Sequence, residues 1–358
     1  MVGKRDIGLL LMAYGGPDRL EDVAPFLADI RHGRPTPDEL IREIEGRYMQ
    51  IGGRSPLLER TEAQLAGIVA ILDKMVPGRF RGYIGMRHWT PWIRDAMAAM
   101  RGDGIRNAVG LVMAPHFSNL SIGAYQKSVR AAMEGWGERI EIAQVADWHL
   151  LPGYLAALEN EVRKASELFS REEHVYHIFS AHSLPERIVG AGDPYPVQLK
   201  ATAAALARRL GLKQGQWEFC FQSAGASGGP WLGPAIEEVL PRLAEAGKKA
   251  VLVSAIGFVC DHVEILFDRD IEARGIAAGL GMHFERAGAL NGDHGARELP
   301  RPGQLPIPRP PAVDPAHEAE DRVRVVAREA ELPCNRDPLL SQCYPEGSVP
   351  ESGESRNA

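Results

Sequence analysis

Short apolar runs and longer amphipathic stretches alternate along most of this chain. Residues 7–13, 81–86, 108–114, 140–145, 175–180, 218–221 and 250–258 are largely apolar, the pattern of strands buried on both faces. Between them, residues 56–73, 91–100, 122–134, 155–167, 195–210 and 232–246 carry apolar positions at helical spacing. Apolar strands separated by helices predict an α/β fold of parallel sheets covered on both sides. Such folds bind ligands beyond the carboxyl ends of their strands. There the sequence places Tyr14, His88, His116, His182, Gln222 and Asp261.

The pattern changes after residue 287. Residues 288–315 hold seven prolines and no apolar period, which reads as a linker or extended loop. Residues 318–331 could form a short charged helix, and the tail from residue 345 has the composition of a disordered segment. The 358 residues, 45% of them apolar, suffice for two cores. A net charge of −6 gives no support for a nucleic-acid partner. No apolar run approaches the roughly 18–20 residues of a membrane span. Lys4 and Arg5 before residues 7–13 imitate a signal peptide, but that stretch is short and Gly15-Gly16-Pro17 reads as a turn. Four scattered cysteines fit a reduced compartment, so a cytoplasmic protein without a membrane anchor is expected. Cys220 and Cys260 lie in apolar runs and read as small buried residues. Cys334 and Cys343 have eight residues between them, looser than the local spacing usual for the four ligands of an iron–sulfur cluster, so no [2Fe-2S] centre is expected.

Two segments carry candidate chemistry. His182 stands in Ser180-Ala181-His182-Ser183-Leu184-Pro185, where small neighbours leave space around the imidazole and Pro185 closes the turn. Taken alone it reads as a satisfied core histidine. With an ordinary pKa of ~6.5 it could also accept a proton near neutral pH. Beyond the last apolar run, residues 263–280 read as one helix. Glu264, Asp268 and Glu272 recur there every four residues on one face, with Leu266, Ile271 and Ile276 facing inward. The bland reading is a solvated acidic face. The other is a route for a divalent cation, because like charges at this spacing repel unless something neutralises them. His262 would point away from that face and serve a structural role. Tyr14 ends the first strand before a glycine turn, either as packing or as a phenol facing a flat ligand. Residues 31–60 default to a solvated helix with ion pairs. Arg31, Arg34 and Arg54 flank glycines, free to clamp carboxylates in a bidentate way.

Six segments in order carry a resemblance. They are Met12-Ala-Tyr-Gly-Gly-Pro17, Ile51-Gly-Gly-Arg-Ser-Pro56, Ala114-Pro-His-Phe-Ser118, Ser180-Ala-His-Ser-Leu-Pro185, Gly229-Pro-Trp-Leu-Gly-Pro234 and Gly257-Phe-Val-Cys-Asp-His-Val-Glu264. Together they resemble the ferrochelatase family from about residue 5 to about residue 286. The tyrosine of the first segment is similar to that of the coproporphyrin-type enzymes of Gram-positive bacteria. The resemblance implies two Rossmann-like domains, residues 1–115 and 116–286, with a porphyrin cleft between them and residues 287–358 as linker, short helix and tail. By motif, His182 and Glu264 would be the catalytic pair that binds the incoming Fe²⁺, a substrate, with Asp268 and Glu272 along its path. Tyr14 would approach the metal from the other face of the macrocycle. Arg31, Arg47, Tyr48, Ser55, Tyr125 and Trp231 would hold the porphyrin, and Arg87 stands where some relatives have lysine.

The reaction so implied is insertion of Fe²⁺ into coproporphyrin III by a monomer, with loss of two protons and a coproheme decarboxylase as the downstream partner. Rival readings are insertion into protoporphyrin IX, insertion of cobalt or nickel into a corrin precursor, and a non-catalytic haem or porphyrin carrier. The carrier would have no use for a base facing an acidic file. The proline-rich C-terminal region departs from the short final helix of the simplest relatives.

Overall fold

Seven consecutive residues with no charge, Ile7–Ala13, form the strand β1 inside the first of two sheets. In the computed structural model, which describes residues 6–225 and 229–292, β1 is flanked by β2 (Phe80–Met86) and β3 (Asn107–Val112). Beyond β3 lies β4 (Glu141–Gln144), giving the order β2-β1-β3-β4. The helices of this half are α1 (Val23–Ile30), α2 (Asp38–Gln50), α3 (Leu57–Met75), α4 (Ile93–Gly102) and α5 (Ile122–Ala132). Helix α6 (Pro152–Ser166) then leads into the second sheet.

That sheet runs β6-β5-β7-β8, with β5 (Val175–His182), β6 (Trp217–Gln222), β7 (Ala250–Ala255) and β8 (His283–Arg286). Helices α7 (Arg187–Gly190) and α8 (Tyr195–Leu210) join β5 to β6, and α9 (Ile236–Glu245) joins β6 to β7. Between β7 and β8 the chain makes α10 (Val263–Leu266), a π-helical turn over Asp268–Ala273, and α11 (Arg274–Gly279). Every strand pair is parallel, so the α/β architecture of two helix-covered sheets is present. All described residues fall in one compact unit.

The cores follow from strand alternation. On β5 and β7, Phe179 and Leu252 face α6 and α8, while Ile178, Val251 and Val253 face α9 and α11. In the first sheet Leu10 and Met12 pack under α4 and α5. Glycine sets the spacing at one point: a Cβ on Gly82 of β2 would lie 2.9 Å from the Leu65 side chain of α3. Helix α8 ends where Gly211 takes the left-handed conformation (φ 73) and donates to the Arg208 carbonyl.

Four features depart from the sequence pattern. The apolar run at 250–258 is strand only to Ala255; Ile256 and Val259 are buried by packing. β8 was not expected, because an edge strand of four residues with His283, Glu285 and Arg286 lacks an apolar signal. β4 pairs with β3, so the first sheet extends past residue 115 to Gln144. The helix expected over 263–280 is interrupted by the π-helical turn. Ile265 is buried in place of Leu266, and Ile271 is exposed. The proposed helix at 318–331 and Cys334 and Cys343 lie outside the described residues.

Candidate active site

His182 is the last residue of β5, paired in register with Gln222 of β6. Its backbone is pinned from both sides. The Tyr195 hydroxyl donates to its carbonyl (3.0 Å), and the next residue, Ser183, donates its N–H to the Gln222 carbonyl (2.7 Å) and its hydroxyl to the Leu232 carbonyl (2.7 Å). The chain leaving β7 passes close by, and a Cβ on Gly257 would lie 2.6 Å from that of Ala181. That approach brings Glu264 of α10 to the imidazole, with 2.8 Å between Glu264 Oε2 and His182 Nδ1. About a third of each side chain stays open, 31% and 33%.

The two charges support each other. Burial works against protonating His182, but the Glu264 carboxylate and its hydrogen bond outweigh that and hold the imidazole above its ordinary value. Glu264 is held down to about 2: burial opposes its charge, and His182, His262 and Arg47 overcome it. His262 caps α10, its Nδ1 accepting the Glu264 N–H (3.3 Å), and its ring packs on Phe258 with centroids 4.5 Å apart. It therefore sits beside the pair instead of pointing away from it as expected; burial holds it below its usual range.

Tyr14 belongs to the same neighbourhood. It follows β1, where Gly15 turns the chain with φ 95, and its ring packs on His88 (4.6 Å) and Phe26 (6.4 Å). Although 41% of Tyr14 is open, burial around the phenol pushes its pKa up to about 12, and the Glu264 charge adds to the rise. Tyr48, buried on α2, is likewise raised by burial and then by Glu264. The first-sheet phenols and the second-sheet pair thus feel one another.

Asp268 and Glu272, expected along the metal path, differ in their surroundings. Asp268 is buried in the π-helical turn, where Ser223 donates a short hydrogen bond to Oδ2 and Arg47 Nη1 lies 3.4 Å from Oδ1. Burial raises Asp268 to about 6, with Ser223 and Arg47 opposing and Glu264 and Glu272 adding to the rise. Glu272 is exposed. A π-turn advances the chain by i→i+5 bonding, so the four-residue spacing no longer keeps one face. Among the described residues, no group of three or more His, Cys, Asp or Glu side chains could hold a metal ion by itself.

Two of the expected porphyrin contacts meet beside Tyr14, where a Cβ on Gly16 would press on the Ser55 side chain and lie 3.7 Å from the Tyr48 hydroxyl. Arg47 is engaged by Glu43 (2.9 Å) and Asp268, and stacks over Phe267 at 5.0 Å. Arg31 donates to the Pro35 carbonyl while its buried Nε has no partner. The Ser55 hydroxyl accepts the Leu57 N–H at the start of α3. Tyr125 is buried in the first core beneath the Arg87 guanidinium (5.6 Å). Trp231 stands edge-on to His182 with centroids 6.5 Å apart.

Sequence reasoning missed Ser223, whose φ of 57 no sequence feature signals, and Arg269. Arg269 lies between two aspartates and reads as a surface cation, yet it is fully buried and donates to Gln222 and Ser180 behind His182. Asp29 was also missed; it fixes His88 beneath Tyr14 through a 2.8 Å contact to Nδ1.

An imidazole and a carboxylate thus meet at one strand end of a parallel α/β fold, with a phenol that follows the first strand in reach of the same charge. Residues 6–298 match the family model described as Ferrochelatase. A ferrochelatase of Deinococcus radiodurans is 47% identical over 296 residues, covering 82% of this chain and 93% of the relative. A coproporphyrin III ferrochelatase of Geobacillus thermodenitrificans is 38% identical over 295 residues, covering 82% and 93%. A ferrochelatase of Thermus thermophilus is 39% identical over 303 residues, covering 80% and 95%. The chain belongs to the ferrochelatase family of metal-insertion enzymes, which act in haem biosynthesis. Among the described residues, no helix is long and apolar enough to cross a membrane.

Proposed function

We propose that this enzyme inserts Fe²⁺ into coproporphyrin III, with release of two protons. The observation that carries the reading is the His182–Glu264 pair, 2.8 Å apart at the end of β5 and facing Tyr14 electrostatically. Metal insertion requires that two pyrrolic protons leave as the cation arrives. In its neutral form His182 is the base that takes a pyrrolic proton, its affinity for that proton raised by the neighbouring Glu264, and Glu264 strips water from the ferrous ion and delivers it. Asp268, at about 6, can gain and lose a proton near neutral pH and passes protons outward to Glu272. Tyr14 addresses the opposite face of the macrocycle, and Trp231 lines the pocket beside His182. Arg31, Arg47, Tyr48 and Ser55 hold the porphyrin and its carboxylates, and Tyr125 supports Arg87 from beneath. Bending the bound macrocycle so that its nitrogens turn toward His182 would use binding energy to approach the transition state.

Support for coproporphyrin over protoporphyrin comes from Tyr14 and from relatives named for that substrate. Four carboxylates rather than two also suit a site mouth with Arg31, Arg47 and Arg87. The test is anaerobic mixing of the full chain with Fe²⁺ and each porphyrin in turn, following the porphyrin absorbance bands. The expected result is faster metallation of coproporphyrin III. Faster turnover of protoporphyrin IX would overturn the substrate, and band shifts without metallation would mark a carrier.

A further inference from the structure

Eight residues, His262 to Arg269, separate two aspartates that meet the same arginine. Arg286 closes the edge strand β8, where it pairs in register with Val253 of β7. Its side chain reaches back along the segment that carries Glu264. Nε and Nη2 bind the two carboxylate oxygens of Asp270 at 2.6 and 2.9 Å, a bidentate fork. Nη1 lies 3.5 Å from Asp261 Oδ1, an oxygen that is buried and has no hydrogen-bond donor. Asp261 is held from its other side by Asn291: Nδ2 donates to Oδ2 (2.8 Å), and the Asp261 N–H donates to Asn291 Oδ1 (2.9 Å). Arg286 is mostly buried, with 15% of its side chain open.

We propose that Arg286 is a positioning residue for metal delivery, a clamp that fixes the segment bearing His262, Glu264 and Asp268 from both ends. The inference rests on the reading of Glu264 as the residue that delivers Fe²⁺. The physical need is local. Helix α10 has only four residues, and the π-helical turn that follows is of a rare kind, found mostly as single turns at functional sites. On its inner side the segment is anchored by Arg269, which donates to Gln222 and Ser180, and by Gln222, which donates to the Glu264 carbonyl (3.2 Å). Arg286 anchors its two flanks, because β8 is hydrogen-bonded to β7 and the guanidinium reaches Asp261 and Asp270. A lysine would keep the charge but lose the fork, so Arg and Lys are not equivalent here.

The test compares the full-length wild type with Arg286→Gln, Arg286→Lys, Asp270→Asn and the Arg286→Gln/Asp270→Asn double variant. Each is assayed for coproporphyrin III affinity by fluorescence quenching without metal, for kcat and the KM of Fe²⁺ under anaerobic conditions, and for thermal midpoint. The expected result for Arg286→Gln is a kcat/KM for Fe²⁺ lowered about tenfold or more, with porphyrin affinity within twofold of wild type. Arg286→Lys should recover part of the loss, and the double variant should be no worse than its poorer parent. Unchanged Fe²⁺ kinetics, a parallel loss of porphyrin affinity, or additive losses in the double variant would each overturn the clamp. If Arg286→Gln does not fold, Asp270→Asn carries the same comparison. A wild type that metallates neither coproporphyrin III nor protoporphyrin IX would instead remove the functional reading itself.

Discussion

Replacing His182 by alanine separates chemistry from architecture. The variant loses the hydrogen bond to Glu264, and bonds of that kind to a charged partner contribute about 1.5–3 kcal/mol. With 31% and 33% of the two side chains open to solvent, the lower end applies, about 1.5–2 kcal/mol. For a unit of this size each kcal/mol moves the thermal midpoint by roughly 2–4 °C, so a fall of about 3–8 °C is expected. The rate should suffer far more, since a positioned general base contributes about 10²–10⁴-fold. His262 cannot replace the lost imidazole, because its Nδ1 is occupied by the Glu264 N–H. The assay is anaerobic metallation of coproporphyrin III under single-turnover conditions, with porphyrin affinity measured separately by fluorescence. Binding should persist within a few-fold while insertion collapses. A folded His182→Ala protein with kcat within threefold of wild type would refute the base assignment, and so would a loss of porphyrin affinity that accounts for the whole defect.

Other perturbations reach different parts of the argument. Gly15→Ala would force a side chain into φ 95 and place its Cβ 2.8 Å from the Trp89 backbone nitrogen. It should cost about 1–3 kcal/mol in urea unfolding and raise the porphyrin KM by displacing Tyr14. Gln64→Leu would remove the donor that serves the Val259 (3.1 Å) and Asn291 (2.7 Å) carbonyls. About 1–3 kcal/mol should be lost for each carbonyl left bare, again read by urea unfolding. His283 faces Glu173 (2.6 Å), Glu285 (3.4 Å, itself near Arg274) and the Phe169 ring; the Glu173 hydrogen bond is the main cause of its raised pKa. A raised pKa means stabilisation that is complete below ~6.5 and lost as the pH climbs through the folded value. Glu173, held low chiefly by the same bond, loses its share as the pH falls below ~4.3. His283→Gln should therefore lower the thermal midpoint near pH 6 and leave it unchanged near pH 8.5; an equal effect at both would remove the pair from the pH dependence.

What the sequence could reveal depended on how local the cause was. Tyr195–Leu210 was readable to the residue because Pro194 and Gly211 punctuate both ends. His182 was readable because small neighbours and Pro185 mark a strand end. The acidic file was misread in its geometry, because counting by four assumes an α-helix. The π-helical turn buries Asp268, exposes Glu272 and sends Arg269 inward. β8 and Arg286 were invisible for a different reason. An edge strand needs no apolar run when its neighbour supplies the pairing, and a clamp between residues 261, 270 and 286 has no local signature.

The contact between Arg47 and Asp268 has a consequence for how a cation travels. Arg47 comes from α2 and Asp268 from beyond β7, so Asp268 already holds a resident monovalent counter-ion. A ferrous ion reaching Asp268 would trade places with a guanidinium, and the local charge would rise by one unit rather than two. Arg47 would then keep only Glu43, its other partner at 2.9 Å. On the metal path proposed above, the route would behave as an ion exchanger, in which each arriving metal displaces a tethered cation and each departing metal lets it return.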